Sequence, residues 1–131
     1  MKLLQRATDS PAPPARLGIA AALDVASVVV FVAVGRRTHD QDPGLAGVFA
    51  TAAPFLIALA IGWLVARAWC SPMSLRTGLV VWAVTIVGGM LLRNLVFGDG
   101  TATSFVVVAT LFTAACLLGW RLVSKLFRQA W

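Results

Sequence analysis

Four apolar blocks organise this chain, at residues 17–34, 45–66, 75–92 and 102–123, each 18 to 22 residues long and separated by polar joints. An α-helix rises about 1.5 Å per residue, so roughly 20 apolar residues cross the ~30 Å hydrocarbon core of a bilayer. The blocks are too long for buried strands and lack the period-two alternation of lipid-spanning barrel strands. Hydrocarbon offers no water to backbone groups, and a helix satisfies its own. The sequence therefore predicts an all-α integral membrane protein, a four-helix bundle. Composition supports this: 60% of the residues are hydrophobic and only 12% charged. A soluble domain carries about 25% charged residues, so that class is excluded.

Four crossings place both ends of the chain on one side. Lys2, Arg6, Arg16, Arg67, Arg76, Arg121, Lys125 and Arg128 fall on that side, against Arg36, Arg37 and Arg93 on the other. The positive-inside rule makes the richer side cytoplasmic, so a multi-pass plasma-membrane protein with cytoplasmic termini is expected. The net charge of +6 comes mainly from helix ends. Its expected partner is anionic lipid at the cytoplasmic face, not nucleic acid. Trp63, Trp69, Trp120 and Trp131 fall at or near this interface and read as interfacial anchors.

Residues 1–16, with Ser10-Pro11-Ala12-Pro13-Pro14, read as a flexible cytoplasmic tail. The first block exceeds the roughly 7–15 residues of a signal-peptide core and is expected to remain a helix. Pro54 predicts a kink near residues 50–54. Residues 124–131 read as a basic amphipathic tail, with Arg121, Lys125 and Arg128 on one face. Arg16-Leu17-Gly18 and Arg76-Thr77-Gly78 open blocks one and three and suggest a parallel internal repeat. Cys70 and Cys116 lie at different depths, against a disulfide, and with one histidine no metal-ligand spacing or cofactor motif is found.

Asp24 is the acid set deep in a block, about 10 Å from its start at 1.5 Å per residue. A carboxylate there costs on the order of 2.5–3.5 kcal/mol on insertion scales, so it is expected to face protein. Its helical face carries Ala20, Ser27 and Phe31, whereas Ile19, Leu23, Val30 and Val34 suit lipid. Facing stripes of small or polar residues run through Thr51, Pro54, Ala58 and Gly62, through Gly78, Trp82, Thr85 and Gly89, and through Thr103, Thr110 and Ala114. An intramembrane polar site of Asp24, Ser27, Thr85 and Thr110 follows. Its readings are a packing staple or a proton or cation carrier. Arg36, His39 and Arg93 form a second candidate cluster at the outer end, read either as snorkelling residues or as an anionic pocket.

Asp24, Gly35-Arg36-Arg37-Thr38-His39, Ser74-Leu75-Arg76-Thr77-Gly78, Trp82, Gly88-Gly89-Met90-Leu91-Leu92-Arg93, Gly100-Thr101-Ala102 with Ser104-Phe105, and Gly119-Trp120-Arg121 resemble a family of small membrane proteins of actinobacteria and haloarchaea. That family is catalogued only as a domain of unknown function. The resemblance spans residues 17–123 and implies four transmembrane helices, with no activity to carry over.

Three functions compete. The membrane carboxyl and small-residue faces favour a small oligomeric permeation protein or a proton- or ion-coupled transporter. The absence of a soluble domain, nucleophile constellation or cofactor motif favours a non-catalytic accessory or assembly subunit of a larger membrane complex. A membrane enzyme or a lipid- or quinone-binding protein, using His39, Arg36, Arg93 and Asp24, ranks third.

Overall fold

The structure, a computed structural model, describes residues 13–38, 45–95 and 103–130. They form four helices: α1 (Pro14–Thr38), α2 (Leu45–Ala66), α3 (Leu75–Leu95) and α4 (Thr103–Ala130). Each contains a stretch long and apolar enough to cross a membrane, with mean hydropathy between 1.8 and 2.5. The helices lie where the apolar blocks place them. They outrun the blocks at the N-terminal end of α1 and the C-terminal ends of α1, α3 and α4, because polar residues at an interface keep their backbone hydrogen bonds. Hydropathy marks the lipid-contacting length of a helix, not the helix itself.

Successive helices pack side by side, and α4 closes back on α1; the diagonal pairs do not approach within the described residues. This is an up-and-down bundle with short connections. The α2–α3 pairing is the most intimate, and its sequence shows why. A Cβ on Gly62 would lie 3.3 Å from the Val81 backbone, and one on Gly88 would lie 3.1 Å from Ala58 Cβ. Small residues let two backbones approach where apolar lipid supplies no driving force for association.

Gly89 serves a second purpose, since it vacates the space taken by the buried Phe55 ring. Phe55 meets Phe31 edge-on at 5.9 Å with an 86° interplanar angle, and Phe31 lies 5.9 Å from Phe112. Val28, Val81, Ala109 and Leu117 fill the space around these rings. On α1 the structure buries Ala20, Asp24, Ser27 and Phe31 and turns Ile19, Leu23, Val30 and Val34 outward. Leu64, Val87, Leu95 and Leu111 are exposed on the other helices, each by more than half. Such a shell suits lipid and would be untenable in water.

One connection, between α2 and α3, bears on the site. α2 runs through the fully buried Pro54 without interruption and ends in a Schellman motif. Ala68 N–H donates to the Trp63 carbonyl at 3.0 Å and Arg67 N–H to the Leu64 carbonyl at 3.3 Å. Arg67 takes the left-handed position, φ 51°, that glycine usually fills. The two glycines of the suggested repeat differ in surroundings: Gly18 faces open space, while Gly78 packs against Arg121.

The packing predicts opposite results at two glycines. A Cβ at position 89 would lie 2.7 Å from Phe55 Cε1 and nearer still to Cδ1, whereas position 18 has nothing within 4 Å. Gly89→Ala should destabilise the protein in detergent by about 1–3 kcal/mol through overpacking. Gly18→Ala should be neutral or stabilising by up to about 1 kcal/mol. Equal unfolding midpoints for the two variants would contradict this packing.

Candidate functional site

Asp24 and Arg121 are each 0% exposed and face one another across the α1–α4 interface. Asp24 lies ten residues into α1 and Arg121 nine residues before the end of α4, so both sit about 14–15 Å from their helix ends at 1.5 Å per residue. The guanidinium meets the carboxylate as a two-pronged fork: Arg121 Nη1 donates to Asp24 Oδ1 at 2.9 Å and Nη2 to Oδ2 at 2.7 Å. Charge-assisted bidentate pairing is the strongest hydrogen-bonded arrangement available to these side chains.

Two indoles complete the carboxylate. Trp63 Nε1 donates to Oδ2 at 2.9 Å, and Trp120 Nε1 donates to Oδ1 at 2.8 Å. Each Asp24 oxygen thus accepts one guanidinium N–H and one indole N–H. All four partners are donors, so the site is built for the anion. The Arg121 donors are spread as widely: Nε donates to the Pro72 carbonyl at 2.9 Å and Nη1 also donates to the Leu117 carbonyl at 2.9 Å. The Arg121 Cζ also lies 4.4 Å from the Trp120 ring centroid, within cation–π range.

Local structure explains each position. The Schellman turn fixes the last turn of α2 and with it Trp63. The α2–α3 turn turns the Pro72 carbonyl inward onto Arg121. Gly78 on α3 leaves the channel for the arginine stem, because a Cβ there would lie 2.7 Å from Arg121 Cδ. All four helices therefore meet at one ion pair. Removing two charges from water carries an idealised cost of order 20 kcal/mol per ion in a dry interior. That cost is offset only where geometry and hydrogen bonding are nearly complete, as they are here.

The candidate intramembrane residues do not form a single site. Asp24 is hydrogen-bonded to neither Ser27, Thr85 nor Thr110. Ser27 Oγ donates back to the Leu23 carbonyl at 2.7 Å, and Thr110 Oγ1 donates to the Val106 carbonyl at 2.7 Å. Trp82 Nε1 donates to the Thr110 carbonyl at 3.1 Å, joining α3 to α4. Thr85 is fully buried, and its hydroxyl has no hydrogen-bond partner. In the outer cluster, Arg93 is half-buried near the end of α3. The side chain of Arg36 and the whole of His39 lie outside the described residues.

Three residues of the site carry a different reading in the sequence alone. Arg121 appeared as the first residue of a basic amphipathic face, but it is buried while Lys125 is exposed. Trp63 and Trp120, read as interfacial anchors, direct their N–H groups inward onto Asp24. The available signal was Arg121 itself, the basic residue within the fourth block. A lone membrane acid calls for a cation, and Arg121 falls inside a block, although the predicted end of that block at residue 123 sets it shallower than Asp24.

The fold and this site define a multi-pass four-helix membrane protein whose first and last helices are joined by a buried, hydrogen-bonded ion pair. The chain belongs to a family described as "Protein of unknown function (DUF3054)", whose model matches residues 21–124 and so includes all four residues of the site. No curated protein and no solved structure matches it significantly.

Breaking a buried pair leaves an uncompensated charge, whereas replacing both partners leaves none. Asp24→Leu and Arg121→Met should each lower unfolding stability in detergent by about 3–5 kcal/mol, and the double variant should recover most of the loss. Trp63→Phe and Trp120→Phe should each cost about 1.5–3 kcal/mol, the value of a hydrogen bond to a charged group. Additive losses in the double variant would show that the two side chains do not interact.

Proposed function

We infer that this protein is a non-catalytic membrane subunit, an accessory or assembly component that acts through its lipid-facing helix surfaces within a larger complex or homo-oligomer. The observation that carries this reading is the saturation of Asp24. Its two oxygens accept four donors, and its charge is cancelled inside the chain. A proton carrier needs a carboxyl that opens alternately to two sides. This one is an anchor, and the core beside it is filled by aromatic and aliphatic side chains.

A second reading, oligomeric permeation or proton- or ion-coupled transport, draws on the unpartnered buried hydroxyl of Thr85 and on the rarity of membrane carboxylates without a functional role. In that reading the ion pair parts during the transport cycle. The charge distribution along the sequence supports cytoplasmic termini and a plasma-membrane location for either role.

Proteoliposomes separate the two. With a potassium diffusion potential imposed, the accessory role predicts that vesicles containing the wild-type protein acidify no faster than protein-free vesicles. Wild-type flux several-fold above that background, abolished in a folded Asp24→Asn variant, would overturn the accessory reading in favour of transport.

A further inference from the structure

A cavity of about 300 Å³ opens at the α2–α3 turn, lined by Arg67, Arg76, Ser71, Ser74 and Thr77, with Val65 and Val80 on its apolar side. Among the described residues, the lining contains no acidic side chain and two guanidinium groups. Its hydroxyls also have protons to give. Ser71 and Thr77 share one hydrogen bond at 3.3 Å, which engages one of their two hydroxyl protons and leaves the other for an acceptor. The spare proton is on Ser71, which is exposed, or on Thr77, which is only 4% exposed, and both side chains line the cavity. Ser74 Oγ accepts the Arg76 N–H at 3.2 Å, which leaves its own proton available as well. Beside these groups stands the first turn of the 21-residue α3, whose dipole favours an anion.

We propose that this cavity binds a phosphate group, and that the group belongs to the headgroup of an anionic lipid. Guanidinium forks match phosphate oxygens in pairs. Hydroxyl donors supply the remaining bonds. The position at the ends of two membrane-spanning helices puts the cavity at headgroup depth, and Val65 and Val80 offer apolar surface to the glycerol and upper acyl region. Basic pockets between membrane helices recognise anionic lipid headgroups by the same chemistry. The proposal rests on the cavity alone and stands whichever function the bundle performs.

Native mass spectrometry of the full-length protein in neutral detergent tests it, with phosphatidylglycerol, phosphatidylcholine or inorganic phosphate added. The wild type should retain phosphatidylglycerol in preference to phosphatidylcholine, and millimolar inorganic phosphate should not displace it. Arg67→Gly with Arg76→Gln should weaken phosphatidylglycerol binding by about tenfold or more, as expected when charge-assisted phosphate contacts are lost. Arg76 is exposed, so Arg76→Gln alone preserves the fold and should show much of the effect. Arg16→Gln with Lys125→Gln removes the same charge from exposed positions elsewhere at this end and should change binding less than about twofold. Equal weakening in both double variants would reduce the effect to diffuse attraction, and unchanged binding in the cavity variants would place the lipid elsewhere. Displacement by inorganic phosphate would overturn the lipid assignment by making a free anion the occupant.

Discussion

A carboxylate and a guanidinium held in a low-dielectric interior attract one another far more strongly than in water, and each is costly there without the other. The Asp24–Arg121 pair sets that condition for this bundle. The two residues are 97 positions apart, so the pair closes the ring of helices by joining the first to the last. Its geometry requires contributions from the whole chain: Trp63 from α2, the Pro72 carbonyl from the following turn, and the absence of a side chain at Gly78 on α3. Loss of register in any helix would leave one of these groups unmatched.

Elsewhere among the described residues, the Trp82 Nε1–Thr110 carbonyl hydrogen bond joins α3 to α4. Towards the other end, cohesion comes from Gly88 and Gly89 bringing α2 and α3 together and from the Phe31–Phe55–Phe112 cluster. The hydroxyls of Ser27, Thr110 and Thr113 turn back onto carbonyls of their own helices, so they satisfy themselves without joining neighbours. Polar order thus concentrates at one end and shape complementarity at the other. That division keeps the interhelical polar network compact, and a network that is fully satisfied specifies one arrangement where apolar packing tolerates several.

Hydropathy made the four helices legible because block length and bilayer thickness are the same physical quantity. The inward face of α1 was legible too: Ala20, Asp24, Ser27 and Phe31 recur at helical spacing and are all buried. The partner of Asp24 was not, for a geometric reason. With the fourth block ending at residue 123, Arg121 stood at a helix terminus, whereas α4 continues to Ala130 and makes it an interior residue. Side-chain direction was equally hidden in Trp63 and Trp120. An indole near an interface reads as an anchor from sequence, and only the angle of α2 and α4 to α1 sends its N–H inward. Thr85 and Thr110 shared a depth with the acid in the sequence, yet depth alone does not bring side chains together.

The pair gives this chain a concrete structural feature: a membrane acid neutralised internally by the last helix. Whether the protein acts as an assembly subunit or in transport, Asp24 and Arg121 must be joined in the resting state. Solid-state NMR on the protein in lipid bilayers tests this most directly, through the dipolar coupling between a ¹³C-labelled Asp24 carboxyl and the ¹⁵N-labelled guanidinium of Arg121. With N–O distances of 2.7 and 2.9 Å, the account predicts strong dephasing at a direct ion-pair distance. Absence of measurable coupling in the wild-type protein would show that the two side chains are apart and would contradict the account at its centre.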